Sequence, residues 1–83
     1  MKLRVRYFAS IREALGPGET LDIRDGATVG QVRDTLIARG GAHAASLARG
    51  RALRCALNQG LCNESAHIEA DAELAFFPPV TGG

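Results

Sequence analysis

Two consecutive prolines, Pro78-Pro79, stand immediately after the apolar run Ala72-Glu73-Leu74-Ala75-Phe76-Phe77, and they constrain the fold more than any other feature of the chain. Each lacks an N–H and has a fixed φ, so a strand ending at Phe77 cannot continue as a central ladder strand and the chain must leave the sheet extended. Val80, Thr81, Gly82 and Gly83 then form a tail on a stiff base. Four residues at roughly 3.3–3.6 Å each reach about 13–14 Å, enough to enter a deep pocket while the folded body stays outside. Gly82 and Gly83 have no Cβ atoms, so they fit a narrow channel and let another backbone or a nucleotide approach closely. An arm of this kind presents its terminal carboxylate instead of packing it.

The rest of the chain reads as one small domain. Eighty-three residues bury only about 60–65% of the surface the unfolded chain exposes, which leaves no room for a second domain or a large cofactor cavity. Leu3, Val5 and Tyr7 alternate with Lys2, Arg4, Arg6 and Phe8, the period-2 pattern of a first strand with one core face. A short helical turn, Arg12–Leu15, is broken by Gly16-Pro17-Gly18, and Thr20–Ile23 reads as a second strand antiparallel to the first. Thr28-Val29-Gly30-Gln31 is a capping box that opens the one long helix, with Val29, Val32, Leu36 and Ile37 on its apolar stripe and Gly40-Gly41 at its end. Ala42–Ala48 adds a shorter helical piece. Leu53, Cys55 and Leu57 mark a third strand, which turns through Asn58-Gln59-Gly60 into a brief Leu61-Cys62 strand before the closing strand, Ala72–Phe77.

That order predicts an α+β fold of the ubiquitin-like β-grasp type: a mixed sheet covered on one face by one main helix, with the first and last strands side by side in the centre. The expected organisation is a single domain over residues 1–79 and a flexible, extended C-terminal Gly-Gly tail over residues 80–83. Strand parity then carries a second expectation. If Leu74 and Phe76 point into the helix-covered core, Phe77 points to the opposite face, which Phe8 shares and Leu61 adjoins. Two phenylalanines and a leucine left uncovered beside the tail's exit would form a partner surface.

The side chains offer no active site. His43 and His67 stand alone, Ser10, Ser46 and Ser65 have no His–acid constellation around them, and Gly16-Pro17-Gly18 lacks the Lys-Ser/Thr ending of a phosphate loop. Cys55 and Cys62, seven positions apart, match no zinc or C-x-x-C spacing and read as reduced structural thiols in preference to a hairpin disulfide. Arg49, Arg51 and Arg54 read as a solvated loop and strand edge. A formal charge of +1 gives no case for nucleic-acid or membrane binding, and the alternating Met1–Arg6 start is neither a signal peptide nor a membrane span, which makes a cytoplasmic location the default. The one group left with a chemical rationale is the main-chain carboxylate of Gly83. Adenylation by ATP would convert it to a mixed anhydride, and a sulfur nucleophile displacing AMP would leave a terminal thiocarboxylate able to attack an electrophilic carbon.

The run Leu74-Ala75-Phe76-Phe77-Pro78-Pro79-Val80-Thr81-Gly82-Gly83 resembles at every position the C-terminal signature of the small-subunit family of molybdopterin synthases, ubiquitin-like sulfur carriers of molybdenum cofactor biosynthesis. Val5-Arg6-Tyr7-Phe8-Ala9, Ile11-Arg12-Glu13, Thr28-Val29 and Leu57-Asn58-Gln59 extend the resemblance over most of the chain. One departure is Ala70-Asp71-Ala72-Glu73, where relatives often carry an Asp-Gly-Asp-Glu turn. The resemblance implies that Gly83 is adenylated by an E1-like, ATP-dependent adenylyltransferase. It further implies thiocarboxylation with sulfur from a cysteine desulfurase or rhodanese-like donor, and insertion of the tail into the large synthase subunit, where sulfur passes to cyclic pyranopterin monophosphate. The complex it implies is a heterotetramer of two small and two large subunits. In it the carrier binds no cofactor or metal and has no catalytic side chain of its own, and Phe8, Leu61 and Phe77 form the apolar interface. A ubiquitin-like modifier joined to lysines through the same carboxylate, and a carrier for another thiolation pathway, stand as the alternatives.

Overall fold

The structure, a computed structural model, describes residues 1–79; the tail expected at residues 80–83 lies outside the described residues. In chain order the elements are β1 (Lys2–Tyr7), α1 (Ala9–Leu15), β2 (Gly18–Asp22), α2 (Val29–Ile37), α3 (Gly41–Leu47), β3 (Arg54–Leu57), β4 (Gly60–Cys62) and β5 (Ala72–Phe77). The five strands form one mixed sheet in the order β2-β1-β5-β3-β4. β1 and β5 are parallel neighbours in the middle, and the other pairings are antiparallel. This is the β-grasp arrangement expected from the order of elements.

Alternation along the strands divides the sheet into two faces. Leu3, Val5 and Tyr7 of β1, Leu74 and Phe76 of β5 and Cys55 of β3 are buried, and α2 meets them with Val29, Val32 and Leu36. Ile11 of α1, Leu47 of α3 and Ile68 complete the core. Side chains of this kind stabilise by roughly 1.5–3 kcal/mol each when removed from water, which is the main favourable term in so small a domain. α2 starts at the capping box: Gln31 N–H donates to Thr28 Oγ1 at 3.1 Å, and Thr28 N–H donates to Gln31 Oε1 at 2.9 Å.

Two local features differ from the sequence reading. The first helix is not a turn over Arg12–Leu15 but runs from Ala9, because Ile11 anchors it to the core one turn earlier. The second strand starts at Gly18, two residues sooner, since Gly18 pairs with Arg6. No larger residue fits there: a Cβ on Gly18 would lie 2.3 Å from the Val5 carbonyl oxygen. The turn before β5 is tied down by Asp71, whose Oδ1 accepts from Lys2 N–H at 2.8 Å, so Ala70-Asp71-Ala72-Glu73 still docks the last strand beside the first.

The β3–β4 hairpin closes through Asn58 (φ 50°) and Gln59 (φ 70°), two left-handed residues whose twist suits a two-residue turn. Asn58 also links the hairpin to β5: its N–H donates to Glu73 O at 2.8 Å, and its Oδ1 accepts from Glu73 N–H at 3.0 Å.

Candidate functional site

The uncovered face of the sheet is built by the residues that alternate with the core. β1 contributes Lys2, Arg4 and Arg6, β5 contributes Glu73, Ala75 and Phe77, β3 contributes Arg54 and Ala56, and β4 contributes Leu61. Small side chains occupy the middle: Ala56 pairs with Ala75 and with Leu61, and Ala75 pairs with Arg6. The alanines leave a groove of ≈ 490 Å³ lined by Arg6, Phe8, Ala56, Gln59, Glu73, Ala75 and Phe77.

Phe8 and Phe77 therefore share one groove at the end of β5 where Pro78 leaves the sheet. Phe8 is 38% exposed and Phe77 is half-buried. Leu61, at 68% the more exposed of the large apolar residues, lies on the same face two strands out from β5 and does not line that groove. Phe8 is set in place by the backbone. Its N–H still donates to Phe76 O at 3.2 Å, and the next residue, Ala9, takes a left-handed φ of 53° that reverses the chain into α1. That conformation costs an L-residue about 1–2 kcal/mol. The Arg6 guanidinium carbon lies 5.6 Å from the centre of the Phe8 ring, a cation–π contact. Arg4 and Arg6 each come within 3.8 Å of Glu73 Oε2.

On the covered side the polar groups are locked into two networks. The Arg33 side chain, 4% exposed, donates from Nε to Leu47 O at 2.8 Å, from Nη2 to Ala48 O at 2.6 Å and to Arg51 O at 3.1 Å, and from Nη1 to Glu64 Oε2 at 2.8 Å. Arg49 joins the same cluster through Glu64, through Asp34 Oδ1 at 3.0 Å and through Gly30 O at 2.9 Å. The basic stretch is thus not a uniform solvated loop: Arg49 fastens the α3–β3 connection to α2, Arg51 supplies a carbonyl to Arg33, and Arg54 faces out opposite Phe77. The sequence carried a signal for Arg33, which lies four residues after Val29 and three before Leu36, on the apolar stripe of α2.

The second network centres on Glu19. Its Oε2 accepts from the Tyr7 hydroxyl at 2.7 Å and contacts His43 Nε2 at 2.9 Å, while Arg39 pairs with Oε1. Burial works against the charge on Glu19, but hydrogen bonds from His43, Tyr7 and Arg39 outweigh it and hold the carboxyl down at about 2. Burial and the bond to Glu19 push the Tyr7 phenol above its ordinary range. His67 contacts Gly26 O through Nδ1 at 2.9 Å beside the start of α2.

Cys55 and Cys62 face each other across β3 and β4 as free thiols with their sulfurs 3.5 Å apart. Burial, followed by the hydrogen bond with Cys62, pushes the Cys55 thiol up to about 12. A thiol so held stays protonated at neutral pH and is a poor nucleophile. Among the described residues, no three His, Cys, Asp or Glu side chains gather to hold a metal ion, and no helix is long and apolar enough to cross a membrane. Val80, Thr81, Gly82 and Gly83 lie outside the described residues.

The sequence model of the ThiS family matches residues 5–83. The chain is 40% identical over 81 residues to a molybdopterin synthase sulfur carrier subunit of Haemophilus influenzae, covering 98% of this chain and 99% of that one. It is 37% identical to the molybdopterin synthase sulfur carrier subunit of Escherichia coli, with the same coverage. Among solved structures, the small archaeal modifier protein 1 of H. volcanii superposes with a TM-score of 0.75 at 26% identity, covering 95% of this chain and 98% of that one.

Proposed function

The chain belongs to the ThiS family and to the family of those molybdopterin synthase sulfur carrier subunits, and on that premise we propose that it carries sulfur for molybdenum cofactor biosynthesis on the carboxylate of Gly83. The observation that carries this reading is a family match that runs through residue 83, so it includes the Gly82-Gly83 pair that follows Phe77-Pro78-Pro79.

In this reading one carboxylate oxygen of Gly83 attacks the α-phosphorus of ATP on an E1-like adenylyltransferase, and pyrophosphate leaves. The acyl adenylate is an electrophile with AMP as its leaving group. The terminal sulfur of a cysteine persulfide on a cysteine desulfurase or rhodanese-like donor displaces AMP to give an acyl persulfide. A thiol reductant then cleaves its S–S bond, leaving the thiocarboxylate on Gly83 and a disulfide on the donor side. The carrier then docks on the large synthase subunit through Phe8, Leu61 and Phe77, and Val80–Gly83 threads into that subunit's pocket. There the thiocarboxylate sulfur attacks an electrophilic carbon of cyclic pyranopterin monophosphate and displaces an oxygen substituent. Water then cleaves the acyl–sulfur bond of the resulting thioester, leaving the sulfur on the pterin and Gly83 as a carboxylate. Two such cycles supply the two sulfurs of the dithiolene, and a heterotetramer with two carriers places one at each site. This chain contributes no catalytic side chain; ATP belongs to the activating enzyme, the pterin site to the large subunit, and the whole relay to the cytoplasm.

Deleting Gly83, or extending the chain by one residue beyond it, is expected to abolish molybdopterin formation in a reconstituted synthase while thermal melting stays unchanged. Full activity from either variant would overturn the reading. A second reading, a protein modifier, is favoured by the likeness to the small archaeal modifier protein and shares the activation step. Its mark is Gly83 recovered in an isopeptide bond to lysine.

A further inference from the structure

The open face is not only apolar but unevenly charged. Its ionisable residues are Lys2, Arg4, Arg6 and Arg54 against Asp22, Asp71 and Glu73. Lys2 and Asp22 neutralise each other at 2.9 Å, far from the tail's exit. Glu73 is shared between Arg4 and Arg6 at 3.8 Å from each, so one carboxylate serves two guanidiniums. Arg54, opposite Phe77, makes no ion pair among the described residues. Asp71 stands at the far end with Lys2, so at the end near Phe77 the only carboxylate is Glu73, which Arg6 shares with Arg4 while Arg54 has none. The chain's whole excess of +1 sits on this face, and the remainder of the molecule is balanced.

Position matters as much as number. Arg6 and Arg54 lie on either side of β5, flanking the groove that holds Phe8 and Phe77. Arg6 also lies over the Phe8 ring, so its guanidinium is held at the rim instead of sweeping through solvent.

We propose that the protein partner docking on this face surrounds its apolar contact with carboxylates placed to meet Arg6 and Arg54, and that these two arginines orient the carrier so that β5 and its tail point into the partner. The inference rests on the carrier reading above and adds to it the charge of the complementary surface. A nucleic acid fits the face less well: its centre is the apolar groove between Phe8 and Phe77, and a phosphate-tracking site needs a run of free cations where this face leaves only Arg54 without an ion pair among the described residues. Carboxylates at an interface rim act through steering and orientation, and both are screened by salt.

The test measures binding of the full-length chain to the large synthase subunit of its own host at low and high ionic strength, by calorimetry. Wild type should bind at least tenfold more weakly at about 0.5 M than at about 0.05 M salt. The double variant Arg6→Glu/Arg54→Glu should lose at least tenfold at low salt and most of its salt dependence, with an unchanged melting temperature. Arg54→Gln should fall between them, and Arg24→Glu, beside α2 and off this face, should bind as wild type. Salt-independent wild-type binding, or full affinity in the double variant while Phe77→Ala weakens binding, would overturn the inference and leave the carrier reading standing. No wild-type binding to the large subunit at any salt would overturn the carrier reading and the inference together. Binding of a 20-nucleotide RNA probe more tightly than the large subunit would also overturn it, by assigning the rim to a polyanion.

Discussion

The two faces of the sheet are made by the same strands, yet they follow opposite rules. On the covered face, every second residue of β1, β3 and β5 is apolar and buried or half-buried, and no buried side-chain nitrogen or oxygen among the described residues lacks a partner. On the open face the intervening residues leave a groove beside two phenylalanines, an outlying leucine and loosely paired arginines. One face spends its interactions on holding the domain together; the other leaves them available. In a domain of 83 residues stability is scarce, so an uncovered apolar groove makes sense as a surface completed by a partner. Substitutions should separate accordingly, with loss of stability on the covered side and loss of binding on the open side.

The strongest test of that separation is Arg33→Met. It removes the donor to three carbonyls and one Glu64 oxygen in a buried site, and should cost about 3–5 kcal/mol in chemical denaturation. Arg33→Lys should recover little, because a single ammonium cannot reproduce the guanidinium fork. A cost below about 1 kcal/mol would show that the covered side does not depend on this network.

Glu19 gives the pH dependence of the same side. Its folded carboxyl is depressed from 4.5 to about 2, so its contribution is fully present above the unfolded value and is lost as pH falls from roughly 5 towards 2. A shift of that size corresponds to at most about 3 kcal/mol. Glu19→Gln should flatten stability across that window and lower it at neutral pH. An unchanged acid profile would mean that Tyr7, Arg39 and His43 do not hold the charge.

Next in size, Phe77→Ala should weaken binding to the large subunit by about 2 kcal/mol, roughly 30-fold, with Phe8→Ala somewhat less, and both should affect binding more than stability. A large fall in melting temperature with unchanged affinity would place these rings in the core and erase the contrast between the faces. The smallest expected effect is at the point where the chain passes from one face to the other. Ala9→Gly relieves the left-handed φ of 53° and should stabilise by about 1 kcal/mol in chemical denaturation.

Much of this was legible in the sequence because it depends on local periodicity. The parity of Leu3-Val5-Tyr7 and Leu74-Phe76 fixed both faces, and Thr28 with Gln31 fixed the start of α2. Hidden from it were pairings between distant residues. Glu64 meets Arg33 across 31 positions and Tyr7 meets Glu19 across 12, and nothing in their neighbourhoods announces either contact. Arg49 misled for the same reason: an arginine in a polar loop looks solvated until Asp34, Gly30 and Glu64 converge on it. Leu61 was placed on the correct face by its turn, but not beside Phe8, because hairpin length alone does not say how far β4 stands from β1.

The central claim is that the carboxylate of Gly83 bears the sulfur. Intact mass spectrometry with fragmentation, on the chain incubated with ATP, sulfide and the E1-like adenylyltransferase of its host, tests it most directly. The expected result is a gain of about 16 Da, oxygen replaced by sulfur, localised to Gly83 and absent without ATP. An unchanged mass with active enzyme present, or a gain localised to Cys55 or Cys62, would contradict it.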